Sequence, residues 1–125
     1  MFYTVRIFPC FNRTRENLPS SKLSILNDKS EVVTRPLVGP YFEGDTVTVT
    51  CLSHGGNPLP SLTWWVDNSV VDDTDEIVSG DQVKNEMILR DLSREHVGLV
   101  YTCQAVNTDA LPPLKADVRL DMYRK

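Results

Sequence analysis

Asp45-Thr-Val-Thr-Val-Thr-Cys51, Ser61-Leu-Thr-Trp-Trp-Val66 and Leu99-Val-Tyr-Thr-Cys-Gln-Ala105 are the segments whose joint reading decides the fold. Asp45–Cys51 alternates apolar and polar side chains, the period of a strand with one buried face, and Leu62-Thr-Trp64 and Tyr101–Ala105 repeat it. Cys51 and Cys103 lie 103 − 51 = 52 positions apart, and Trp64 follows the first by 64 − 51 = 13. In an antiparallel two-sheet sandwich of about 100 residues, that spacing lets one cysteine from each sheet meet across the core. The tryptophan of a third strand then packs on the bridge, and Tyr101 becomes a second core anchor just ahead of Cys103. Closing a 52-residue loop stabilises the fold by roughly 4 kcal/mol in the chain-entropy model. That is a large share of the about 5–15 kcal/mol available to a domain.

The remaining strands follow outward from these three. Lys22-Leu-Ser-Ile-Leu26 reads as a first edge strand, Asn27–Ser30 as a turn, and Glu31–Val38 as an extended segment that Pro36 confines to an edge. Gly39-Pro-Tyr-Phe-Glu-Gly44 reads as the turn into the second strand, where Val47, Val49 and Cys51 point inward and Thr46, Thr48 and Thr50 face solvent. His54-Gly-Gly-Asn-Pro-Leu-Pro60 is a glycine- and proline-rich bend. In Ser61–Asp67, Leu62, Trp64 and Val66 share the inward face, which leaves Thr63 and Trp65 outward and Trp65 exposed. Asn68-Ser69 turns the chain, Val70-Val71 form a short edge strand, and Asp72–Glu76 is a solvated acidic loop. Val83, Asn85, Met87 and Leu89 alternate inward, Leu92 plugs the following loop, and Tyr101, Cys103 and Ala105 point into the core. After a connection over Asn107–Pro113, Ala116, Val118, Leu120 and Met122 form the last inward row. The expected fold is an all-β Greek-key sandwich of about seven to eight antiparallel strands, with no helix.

Composition fits a single domain able to bury one core: 125 residues, 41% hydrophobic and 24% charged. A net charge of −4 without any Lys/Arg cluster gives no footprint for nucleic acid or an anionic membrane. Cysteines placed for a bridge point to an oxidising compartment. No stretch approaches the roughly 18 apolar residues that span a bilayer. The start, Met1-Phe-Tyr-Thr-Val-Arg-Ile-Phe-Pro-Cys10, is interrupted by Arg6 and Pro9 and lacks the pattern of a secretory signal. Residues 1–20 therefore read as a flexible leader or the remnant of an upstream region, with an added edge strand as the alternative, and residues 21–123 as the domain, a piece of a longer surface protein or the product of a truncated gene. Within the leader, Asn12-Arg13-Thr14 fits the glycosylation sequon, and Cys10 is an odd thiol, unpaired or bridged to another domain.

These motifs resemble an immunoglobulin domain of the cell-adhesion kind, in cysteine, tryptophan and Tyr101-Thr-Cys103 together. Gly39–Gly44, His54–Pro60 before Leu62-Thr-Trp-Trp65, and Leu92-Ser-Arg-Glu95 before Tyr101–Ala105 further resemble the insect Sidestep family of neuronal surface proteins. The resemblance covers roughly Lys22 to Tyr123. It implies a single-pass parent with several such domains, which binds other immunoglobulin-type surface proteins in axon guidance. Val97 stands where many such domains carry aspartate, and the glycine is Gly98, which speaks against the variable type.

No catalytic constellation stands out. His54 and His96 have no metal-ligand spacing with the cysteines, and no nucleophile elbow or phosphate loop occurs. Asp72–Glu76 lacks the spaced ligands and turn glycine of a calcium loop. No cofactor or metal is expected, and the chain reads as non-enzymatic. The feature with functional content is an outward sheet face carrying Thr63, Trp65, Thr102, Gln104 and Arg119. An exposed aromatic and an arginine are residue types that anchor protein interfaces. The expected partner is another protein; the rival reading is a spacer domain whose face is covered by a neighbour.

Overall fold

The computed structural model describes residues 18–107 and 112–124. The expected leader, with Cys10 and Asn12, lies outside the described residues, apart from its last few positions. The chain folds as a sandwich of two sheets. One sheet has the order β1-β3-β7-β6 and the other β2-β9-β8-β4-β5. In sequence these are β1 (Leu18–Leu26), β2 (Leu37–Tyr41), β3 (Val47–Asn57), β4 (Ser61–Val66), β5 (Ser69–Asp72), β6 (Asp75–Ser79), β7 (Gln82–Leu89), β8 (Tyr101–Val106) and β9 (Leu114–Met122). A single 3-10 turn, Arg94–His96, interrupts the all-β pattern among the described residues.

The core forms where the alternating rows of both sheets meet. Val47, Val49 and Cys51 of β3 and Val83 and Met87 of β7 face Leu62 and Trp64, Tyr101 and Cys103, and Val118, Leu120 and Met122. The Cys51–Cys103 disulfide joins the sheets, with the two Cα atoms 6.3 Å apart. Trp64 is 0% exposed, and its indole N–H donates to the Asn85 carbonyl on the opposite sheet at 3.1 Å. Leu92 closes the core from below, and its loop is pinned by Gly44 N–H donating to the Leu92 carbonyl at 2.8 Å. Tyr101 is buried, and that burial pushes its phenol pKa up.

Several expectations are corrected. The first strand begins at Leu18 rather than Lys22, because it continues along β3 as far as the pair Leu18–Asn57. The expected bend over 54–60 is therefore strand up to Asn57, a path that Gly55 (φ +76°) and Gly56 (φ +101°) permit. The segment after the first turn does not run as one extended piece. Val32 makes one isolated bridge to Leu26, and the chain then crosses sheets so that β2 pairs with β9 in parallel. Residues 39–41 belong to that strand rather than to a turn, since Val38 and Tyr41 must both reach the core. The pairing with β9 carries a bulge between them.

Thr50 does not face solvent. It is 8% exposed, because its position pairs with Leu26 and β1 and β7 cover β3 on both sides. The acidic stretch is not all loop: Asp72 ends β5 and Asp75 begins β6, a strand not expected from sequence. The strands thus number nine among the described residues, one pairing is parallel, and the rest are antiparallel.

Candidate recognition face

The outward face of the five-stranded sheet is built by register. Across β4, β8 and β9, Thr63, Gln104 and Lys115 form one row, and Trp65, Thr102 and Asp117 form the next. On the far side of Trp65, Val70 of β5 extends the second row. The sequence reading brings together Thr63, Trp65, Thr102 and Gln104, and the register places these four side by side. Arg119 shares their outward parity but sits a row further on, beside Leu37 of β2, where β8 has already ended.

Side-chain hydrogen bonds order this surface. The Trp65 indole N–H donates to Thr63 Oγ1 at 2.8 Å, and the Thr102 hydroxyl donates to Asp117 Oδ1 at 2.7 Å. Trp65, Asp67, Asn68, Thr102, Gln104, Lys115 and Asp117 line a shallow concavity. Trp65 is half-buried rather than exposed, a correction with a physical reason: flanking strands on both sides cover part of a large ring. Its indole N–H is thus satisfied while part of the ring remains accessible. Lys115, Asp117 and Asp67 were not singled out from sequence. The alternation of β9 places Lys115 and Asp117 outward, but only the cross-strand register sets them beside Trp65.

His96, which has no metal-ligand spacing in the sequence, closes a cap. Its Nδ1 accepts from the Ser93 N–H at 3.0 Å, which fixes the short turn before β8. At the end of the sandwich where β9 leaves, Phe42 and Tyr123 stack with ring centroids 4.4 Å apart at 26°. Arg94 holds this pair in place. It donates to the Tyr123 carbonyl at 2.6 Å and lies 3.6 Å from Glu43. Nearby, burial and the Asp28 carboxylate, which accepts the Tyr41 hydroxyl at 3.0 Å, push the Tyr41 phenol pKa well up.

A family model described as "Immunoglobulin domain" matches residues 40–116, more than half of the chain. The chain belongs to the immunoglobulin-domain family. This immunoglobulin domain is 42% identical over 64 residues to vascular endothelial growth factor receptor 2 of Mus musculus, a stretch covering 51% of the chain and 4% of the receptor. The same receptor of Rattus norvegicus is 41% identical over 64 residues, again 51% of this chain and 4% of that one. The chain thus spans a small fraction of the curated relatives it matches.

Among solved structures, the full ectodomain (Ig1–Ig3) of mouse nectin-like molecule 4 matches with TM-score 0.65 at 19% identity, covering 85% of this chain and 35% of that one. Rst D1-D2 matches with TM-score 0.62 at 21% identity, covering 86% and 51%. Tandem Ig repeats of Dlar match with TM-score 0.57 at 20% identity, covering 82% and 49%. At these identities the likeness is one of fold. In sequence, the likeness beyond the family model is to a short stretch of a growth factor receptor.

Proposed function

We propose that this domain is a non-enzymatic, extracellular recognition module of a cell-surface protein, which binds another protein through the outward face of its five-stranded sheet. The observation that carries this reading is Trp65, a half-buried aromatic on a face that is polar apart from the neighbouring Val70, with its N–H already bonded to Thr63. Such a ring contributes large contact area at low entropic cost when a partner covers it. Thr63, Thr102 and Gln104 offer adaptable hydrogen bonding around it, and Arg119 stands at the rim. In the favoured form the partner is another immunoglobulin-type surface protein and the parent a single-pass adhesion or axon-guidance protein of the Sidestep kind. The family match and the likeness to a growth factor receptor support an extracellular setting.

The test is a binding screen of the oxidised domain against immunoglobulin-type surface proteins, with Trp65→Ala alongside. A specific partner that the variant loses supports the reading. Failure of a folded domain to bind any member, or binding unchanged in Trp65→Ala, overturns it. A second reading, a spacer within a multidomain receptor, has one observation in its favour. Phe42 and Tyr123 stack in the open at one end of the sandwich, with Phe42 61% exposed, which suits contact with an adjoining domain.

A further inference from the structure

Away from the Trp65 face, β5 and β6 end the two sheets at one lateral edge, and the chain passes between them through Asp73 and Thr74. Three large apolar side chains, Val71, Ile77 and Val78, stand in solvent there. Ile77, at 70%, is the most exposed large apolar side chain among the described residues. Next to it a notch opens between the start of β4 and β6, and its lining includes Leu59, Pro60 and Val83 as well as Asp75 and Glu76. Pro60 and Val83 are buried and Leu59 half-buried, so the notch has an apolar floor with carboxylates at its side.

The charge at this edge is mostly negative, with Lys84 as its one counter-charge among the ion pairs of the described residues. Asp72, Asp73, Asp75 and Glu76 fall within five consecutive positions. Lys84 lies 3.2 Å from Glu76 and 3.7 Å from Glu86, and among the described residues no ion pair reaches Asp72, Asp73 or Asp75. One Asp75 oxygen accepts the Leu62 N–H at 2.8 Å, and Asp72 accepts from Thr74, but neither bond neutralises the carboxylate. An apolar floor beside Asp75, a carboxylate without a counter-charge, suits a lysine or arginine, whose methylene stem covers the floor while its charged head stays at the rim. A second copy of this chain is the wrong occupant. With a net charge of −4 it would bring a like-charged edge against this one.

The geometry points to this edge as a docking site for a partner protein that presents an extended segment of alternating apolar and basic residues. The apolar side chains lie on Ile77, and a lysine or arginine enters the notch beside Asp75 and Glu76. β6 has no neighbour on its outer side, but Val78 is bulged out of its pairing with β7. Backbone pairing with the segment is therefore confined to Asp75–Ile77, and side chains carry most of the contact.

The test uses the isotope-labelled chain and two capped pentapeptides, Val-Arg-Val-Lys-Val and Val-Glu-Val-Asp-Val, followed by amide chemical shifts. The basic peptide is expected to move the amides of Leu59, Ser61 and residues 75–77, and the acidic one to leave them in place. Ile77→Ser and Glu76→Lys, both at exposed positions, are each expected to weaken that binding about tenfold, or about 1.4 kcal/mol, while the rest of the spectrum is retained. Raising salt from about 50 mM to about 500 mM is expected to weaken it further, because exposed charge pairs are screened. Absence of shifts, shifts at other residues, equal response to the acidic peptide, or insensitivity to both substitutions overturns the proposal.

Discussion

Replacing Asn85 with leucine tests how the lateral edge of the sandwich is closed. Leu62 lies beyond the end of β5, which reaches only Trp64 through Asp72. On an antiparallel strand the N–H and C=O of one residue point to the same side. Those of Leu62 point toward the position a longer β5 would fill, and side chains from the opposite sheet take them up. The Asp75 carboxylate accepts the N–H at 2.8 Å, and Asn85 Nδ2 donates to the C=O at 2.9 Å and to the Asp72 carbonyl at 3.3 Å.

Leucine keeps the bulk of the side chain but strands both carbonyls, each at about 1–3 kcal/mol, with the longer bond at the low end. The substitution also removes Asn85 Oδ1, a buried oxygen with no hydrogen-bond partner, which returns about 1 kcal/mol. The net expectation is a loss of about 1–3 kcal/mol, which lowers Tm by about 4–12 °C at about 4 °C per kcal/mol for a domain of this size. Denaturant unfolding of the oxidised protein measures it, with the midpoint falling and the slope unchanged. Because Asp75→Ala acts on the same residue, the double variant should depart from additivity by about 0.5 kcal/mol or more. An Asn85→Leu protein as stable as the wild type, or more so, would refute the reasoning. The cost of the orphan oxygen would then outweigh the bonds the amide makes.

Removing the disulfide by Cys51→Ala with Cys103→Ala should cost about 4 kcal/mol, read by the same unfolding assay. The adjacent tryptophans should separate cleanly. Trp64→Ala should cost about 3–5 kcal/mol for its cavity, whereas Trp65→Ala should stay within about 1 kcal/mol, so equal losses would contradict the register. Gly39→Ala should cost at least about 2 kcal/mol and weaken the pairing of β2 with β9. Residue 39 sits at φ +111°, and an added Cβ would lie 2.5 Å from the Asp121 carbonyl oxygen. Hydrogen exchange at the Arg119 amide, which donates to Pro36 O, and at the Tyr123 amide, which donates to Tyr41 O, checks it.

The parts of this fold visible in the sequence are those set by local alternation. The rows Val47–Val49–Cys51, Leu62–Trp64, Tyr101–Cys103–Ala105 and Val118–Leu120–Met122 face inward as their period requires. The missed features depend on what lies across a strand rather than along it. Thr50 is polar and in outward parity, and only the neighbouring β1 and β7 bury it. Gly55 and Gly56 carry a turn signal, yet β1 recruits them into a long pairing. Asp75 and Glu76 read as loop because their charges hide a strand whose apolar residues, Ile77 and Val78, stay exposed. The candidate face divides in the same way: strand parity gives Trp65 and Thr102, while the place of Lys115 and Asp117 beside them follows from sheet order.

The way Leu62 is satisfied bears on how freely this family member can vary in length. Its lateral seam is stitched by Asp75 and Asn85, which sit on strands held by β7 and β3, so the Asp73-Thr74 link carries none of the stitches. Residues added at that link leave both anchors in place and cost the exposed Thr74–Asp72 hydrogen bonds together with the entropy of a longer loop, about 0.6 kcal/mol for each doubling. The crossing between the sheets is thus an insertion point, where new sequence can accumulate without reopening the hydrophobic interior.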